Sequence, residues 1–182
     1  ACLVFAAAFP FAEEESIIMK VLEDLFPDVR STLGEEGGVE EEHYPGGKLK
    51  AAWRFKGGKL NGAGRLYYED GSLHIEQNYK DGAPDGYGKE SGEKGGKIRE
   101  WRFGGPGRQV EIREFYPGGN RKLESRYREG KPDGGWTAYF EDGSVDRQWN
   151  YKDGLLSGAA TGYFAGGGVK TECNYERGKQ QG

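Results

Sequence analysis

Residues 67–86 read YYEDGSLHIEQNYKDGAPDG. Two turn signals bracket a run of alternating character. EDG (69–71) and KDG (80–82) put an acidic side chain before a glycine, which is turn chemistry because glycine tolerates a positive φ. Between them Leu73, Ile75, Gln77 and Tyr79 point one way, and His74, Glu76 and Asn78 the other. Period two marks a strand with one drier face. Gly82 and Gly86 then open a second turn and a return strand.

The same phrase recurs along the chain. In rows of 24 residues starting at Tyr44, counted from 0, position 3 is glycine in all six rows: Gly47, Gly71, Gly95, Gly119, Gly143 and Gly167. Position 11 is always aromatic: Phe55, Tyr79, Phe103, Tyr127, Tyr151 and Tyr175. Paired glycines at positions 14 and 18 recur in every row except the third, which has Pro106 and Val110 there. Gly34 and Gly38 fit the same positions upstream, so a half-row precedes Tyr44. A fixed period with turn residues in phase is the signature of a repeat architecture. Segments of four to seven residues joined by two to six predict successive antiparallel β-hairpins, about twelve strands in all.

Composition agrees. The chain has 182 residues with 33 Gly and 7 Pro, but also 11 Tyr, 9 Phe and 4 Trp, and a net charge of -4. Disordered chains are poor in aromatics, and the glycines have no three-residue period, so disorder and collagen are both excluded. Leu, Ile, Val and Phe together make up under a fifth of the residues, too few for one ordinary leucine-rich core.

Tyr-x-x-Gly, an aromatic, Gly-x-x-x-Gly and a doubled aromatic together resemble the MORN repeat, and more closely the bacterial MORN-variant repeats, some of which are described as antitoxin components. The resemblance covers about residues 34–182. It implies an all-β fold: an elongated, single-layer antiparallel sheet of about six 24-residue hairpins. It also implies a role in binding proteins or membrane surfaces. The third row, EKGGKIREWRFGGPGRQVEIREF (93–115), departs from the pattern, and a bend or widened turn is expected there.

Two segments precede the repeats. Residues 1–12 are uncharged and almost wholly apolar. They are too short to cross a hydrocarbon core and read as the remnant of a secretory signal peptide, with Ala6-Ala7-Ala8 as a small-x-small cleavage pattern. The alternative is an apolar strand packed on the domain. Cleavage would make the protein periplasmic or secreted; retention would leave it cytoplasmic. Residues 13–33 hold a short amphipathic helix, with apolar residues at 17, 18, 21, 22, 25 and 26 and Pro27 as its stop. The expected role is a cap on the repeats, or else a partner-binding helix. Charge is uneven: residues 13–44 hold eleven acidic and two basic side chains, whereas Lys94–Lys131 hold eleven basic and five acidic. The acidic segment is therefore expected to lie against the positive repeats. The basic residues alternate with Glu on the polar strand face, as in Arg99-Glu100 and Arg113-Glu114, which reads as a solvated face rather than a nucleic-acid grip.

Catalysis, metals and cofactors find no pattern. The two histidines, His43 and His74, and the distant Cys173 lack metal-ligand spacing. GGGVKT (166–171) has Val169 where a phosphate-binding loop needs Lys. GGPGRQVEI (104–112) has Gln109 where a calcium nonapeptide needs Asp. Glu69 and Asp70 sit in turns that repeat. The expected function is a non-enzymatic, exported module that binds a partner protein along an elongated ribbon. Competing readings are an anionic-lipid or cell-wall-glycan binder, and an antitoxin or immunity protein. The candidate surface is the aromatic stripe of Trp53, Phe55, Tyr79, Trp101, Phe103, Tyr127, Trp149 and Tyr151, with Arg99 and Arg102 beside it. Alternatively, twist lets these rings bury one another.

Overall fold

A computed structural model describes residues 37–104 and 109–181. The leader, the amphipathic helix and most of the acidic segment fall outside the described residues. So do residues 105–108, part of the third row in which a bend or widened turn was expected. The described chain is all-β, with sixteen strands, antiparallel pairing throughout the described ladders, and no helix. It divides at this same place in row three into two compact units.

The first unit holds β1 (Gly38–His43), β2 (Leu49–Lys56), β3 (Lys59–Leu60), β4 (Gly62–Tyr67), β5 (Leu73–Lys80), β6 (Ala83–Ser91) and β7 (Lys97–Gly104). Its strands follow chain order, with β3 paired on the end of β2. The second unit holds β8 (Gln109–Phe115), β9 (Arg121–Arg128), β10 (Lys131–Pro132), β11 (Gly134–Tyr139), β12 (Val145–Lys152), β13 (Leu155–Leu156), β14 (Gly158–Tyr163), β15 (Val169–Glu176) and β16 (Lys179–Gln181). There β10 and β13 pair on β9 and β12 in the same way.

The excess over twelve strands has a local cause. After the turns at Gly58, Gly130 and Gly154 the chain leaves as two paired residues and then kinks before the long return strand, whereas β6 runs on unbroken after Gly82. In the turn itself Asp81, Glu129, Asp153 and Arg177 take positive φ (52°, 48°, 51°, 49°), each followed by a glycine that does the same. Two successive positive φ values are those of a type I′ hairpin, whose twist matches that of the strands. The second glycine of the pair, such as Gly62 at φ 105° or Gly134 at φ 112°, makes the kink. Bonds such as Asn61 N to Arg54 O (2.8 Å) bridge it.

Rows are also stitched to one another. At one end, Gly82 N donates to Leu60 O (2.9 Å) and Gly154 N to Pro132 O (2.8 Å), linking a turn to the preceding row. At the other end, the row-opening tyrosines donate to a carbonyl 23 residues on. Tyr44 reaches Tyr67 O (2.7 Å), Tyr68 reaches Ser91 O (2.9 Å) and Tyr116 reaches Tyr139 O (2.8 Å). Rows one and four carry both kinds of bond.

Candidate binding surface

Strand alternation sends positions 7, 9 and 11 of each row to one face, and that face is filled. Trp53, Phe55, Tyr79, Trp101, Tyr127, Trp149 and Tyr151 are buried, and Phe103 is half-buried. These rings therefore form the core of the units in the structure. Of the two arginines placed beside them, Arg99 is half-buried, with its Nη1 3.6 Å from Glu90 Oε2, and Arg102 is exposed.

Three core residues stand outside the expected stripe. Trp136, at position 20, is 1% exposed. Its ring lies 5.3 Å from that of Tyr127, 5.9 Å from Trp149 and 5.2 Å from Tyr151, tilted or edge-on as aromatic quadrupoles prefer. Its Nε1 donates to Arg126 O at 3.2 Å. Gln77 and Ser125 occupy position 9, where rows one, three and five carry Trp, and both are fully buried. Trp101 Nε1 donates to Gln77 Oε1, and the Gln77 amide in turn donates to Asn78 O. Gln77 thus supplies the acceptor that a buried indole needs. Cys173 holds the same position in row six and is not a free thiol.

The opposite face is the accessible one. Glu at position 8 pairs with cations, Glu76 with one from each flanking strand and Glu124 with one from β8 and one from its own strand. Glu76 meets Arg65 at 2.5 Å and Lys89 at 3.8 Å; Glu124 meets Arg113 at 3.2 Å and Arg121 at 3.0 Å. Arg126 meets Glu111 at 3.4 Å. Exposed pairs of this kind contribute little stability each, so the reading of a solvated face is the one the geometry supports. Two shallow depressions on β8, β9 and β11, of about 160 and 330 Å³, share Glu111 and Arg126 in their walls. His74 stacks on Tyr68 at 4.3 Å, with Glu90 Oε1 3.9 Å from its Nε2. Its burial pushes the imidazole pKa down, opposed by the charge of Glu90. Among the described residues no group of three His, Cys, Asp or Glu side chains is placed to hold a metal ion.

Asp133 couples two rows. Its carboxylate accepts from Asp153 N (3.2 Å) and Lys152 Nζ (3.2 Å), with Arg128 at 3.7 Å. The backbone donor first, and then the two cations, hold its pKa below the usual carboxylate value. Asp70 and Asp142 are lowered too, each by the side chain and backbone of the serine two residues on. A depressed carboxylate contributes stability that is present above its unfolded pKa near 4. That contribution is lost as pH falls through the lower folded value. Asp133→Asn is therefore expected to melt below the wild type at pH 7, with the gap closing as both are taken below the carboxylate range. Thermal melts across pH check this, and a gap independent of pH would contradict it.

The family model for the MORN repeat variant matches residues 60–81 and 132–153. Both stretches run from position 16 of one row to position 13 of the next, three rows apart, so the matches share the phase found in the strands. A comparison with curated proteins found no match.

Proposed function

We propose that the chain, two stretches of which match the family model for the MORN repeat variant, is a non-catalytic module that binds a partner protein through the charged outward face of its hairpin units. One observation supports this above others. The aromatic face is filled by its own rings, whereas the outward face holds charged and amide side chains at fixed positions of every row, on a ladder that keeps their spacing. Such a face suits electrostatic complementarity, which gives specificity and on-rate more than raw affinity.

The test is affinity capture with the full chain against a variant carrying Arg65→Gln, Lys89→Gln and Arg113→Gln. The wild type is expected to retain one stoichiometric protein. The variant is expected to lose it with the melting temperature unchanged to within a few degrees. Retention by the variant would move the surface elsewhere. Anionic lipid is the second reading, supported by exposed Lys56 and Lys59, which face each other across Gly57–Gly58 with no ion-pair partner among the described residues. Vesicles containing phosphatidylglycerol, which bind wild type only under that reading, separate the two.

A further inference from the structure

The outward face changes character within the second unit. Position 21 of one row faces position 8 of the next across the ladder. Arg65 faces Glu76, Lys89 faces Glu100 and Arg113 faces Glu124, a cation against a carboxylate each time. The next pair is Thr137 and Gln148, with no charge, and Thr161 then faces Glu172. Positions 19 and 10 change in step. Glu111 faces Arg126, but Gly135 faces Asn150 and Ala159 faces Asn174. At these four positions β11, β12 and β14 therefore carry no charge.

The uncharged side chains form a continuous row. Thr137 pairs with Gln148, and Gln148 with Thr161 on the next strand. One polar side chain thus stands on each strand, at the strand spacing of about 4.8 Å. Their hydrogen-bonding groups are mostly open to solvent. Among the described residues, the side chains of Thr137, Asn150, Thr161 and Asn174 make no hydrogen bond within the chain. The equivalent Asn78 in row two instead donates to Tyr87 O at 3.0 Å. Gln148 accepts from Tyr163 at 3.2 Å, which leaves its amide NH2 to donate. On the β9 side, Gly135 and Thr137 border the depression of about 160 Å³.

Aromatic rings edge this row. The bond from Tyr163 to Gln148 lays the half-buried tyrosine ring on the outward face. Phe164 beside it is 55% exposed, with Lys170 Nζ 5.8 Å from its ring centroid. Rows one, two and four open with tyrosines whose hydroxyls bond to a backbone carbonyl; Phe164 has no hydroxyl for such a bond.

These features select a partner by charge. An anionic partner finds no cation in the row and meets Glu172 beyond it. An apolar partner would bury amides and hydroxyls without replacing their bonds to water, which is unfavourable. A neutral polyol supplies donors and acceptors for both amides and hydroxyls, and its C–H faces can stack on an exposed ring. An extended β-1,4-linked sugar chain also advances, per sugar, by nearly the spacing of the strands.

We propose that the outward face of β11, β12 and β14, with Phe164 at its edge, binds a neutral, extended β-1,4-linked glycan. This site lies on the uncharged rows and requires no protein partner on the ion-paired ones.

Cellohexaose and chitohexaose are the probes, and isothermal titration of the full chain is the measurement. At least one is expected to bind with Kd of about 1 mM or tighter; weaker binding of both overturns the proposal. Asn150→Ala with Phe164→Ala is expected to weaken the binding about tenfold, which is a loss of about 1.4 kcal/mol. Both side chains are exposed, so the melting temperature is expected to stay within a few degrees. Undiminished binding by that variant overturns the proposed location. Equal affinity for hexagalacturonate, which carries a carboxylate on every sugar, overturns the selection by charge. The variant with Arg65→Gln, Lys89→Gln and Arg113→Gln leaves this row intact and is expected to bind the sugars as wild type does, so a failure here is distinct from a failure of partner binding.

Discussion

Gly88→Ala is expected to cost about 3–5 kcal/mol, a large part of the 5–15 kcal/mol that holds a typical domain together. Gly88 pairs directly with Trp101 on β7. A methyl group on it would overlap both Trp101 Nε1 and Gln77 Oε1, the donor and acceptor of one buried hydrogen bond. Overpacking alone costs about 1–3 kcal/mol. Forcing the indole from its acceptor leaves a buried polar group unsatisfied, at about 1–3 kcal/mol more. Backbone conformation is not the issue, because Gly88 is absent from the positive-φ glycines. Gly46→Ala is the control, since nothing lies within 4 Å of the added carbon. Urea denaturation of both full-length variants is the measurement. If Gly88→Ala were as stable as Gly46→Ala, the close approach of glycine and indole would not be a constraint on the fold. Gly88→Ala combined with Trp101→Leu should regain part of the loss, because the clash goes with the ring.

This glycine shows where sequence reasoning stops. Gly88 sits at position 20, outside the three glycine positions that define the row, and nothing in the period marks it. Positions 3, 14 and 18 were legible because turns need special φ values and turn residues repeat in phase. Gly82 and Gly134 duly adopt them. A glycine needed for space carries no such rule; it becomes visible only beside the residue it admits. The aromatic stripe was legible as a stripe, since Trp53, Trp101 and Trp149 recur 48 residues apart. Whether it faces a partner or its own neighbours was not. Alternation separates two faces of a strand but does not say how far the sheet curls over either.

Pairing on the outward face was half legible. Alternation of Arg113 with Glu114 announced a charged face, yet adjacent residues in a strand point to opposite sides. Arg113 meets Glu124 across β8 and β9, and Glu114 meets Lys122 at 3.7 Å. Register made those partners, and register followed from turns whose kinks were not predictable from spacing. The row-opening tyrosines were similar. They were read as aromatic markers, but their hydroxyls tie each row to the carbonyl that ends it. That role requires two turns to stack, which the sequence of one row cannot express.

Positions 9 and 20 lead to the second large effect, an exchange between rows. Row one carries Trp53 and Gly64, row two Gln77 and Gly88, and row five Trp149 and Ala160. Row four reverses the order, with Ser125 at position 9 and Trp136 at position 20. Thr137 pairs with Glu124 and Ala138 with Leu123, so Trp136 stands across from Ser125 one step along the same register. Each of these rows thus places one bulky side chain on a small neighbour, from one strand or the other. Trp136→Ala is expected to cost about 3–5 kcal/mol, as for any buried Trp cut to Ala, and it also strips three ring contacts. Ser125→Trp alone should cost about 1–3 kcal/mol by overpacking against Trp136. Together they recreate the Trp–Ala arrangement of row five. The double variant should then be more stable than the two losses added, with a coupling of about 2 kcal/mol, near the upper end for residues in contact. Additivity within about 0.5 kcal/mol would mean that the rows do not share one packing rule. A positive coupling would mean that these rows hold one large side chain across positions 9 and 20 and leave open which strand supplies it.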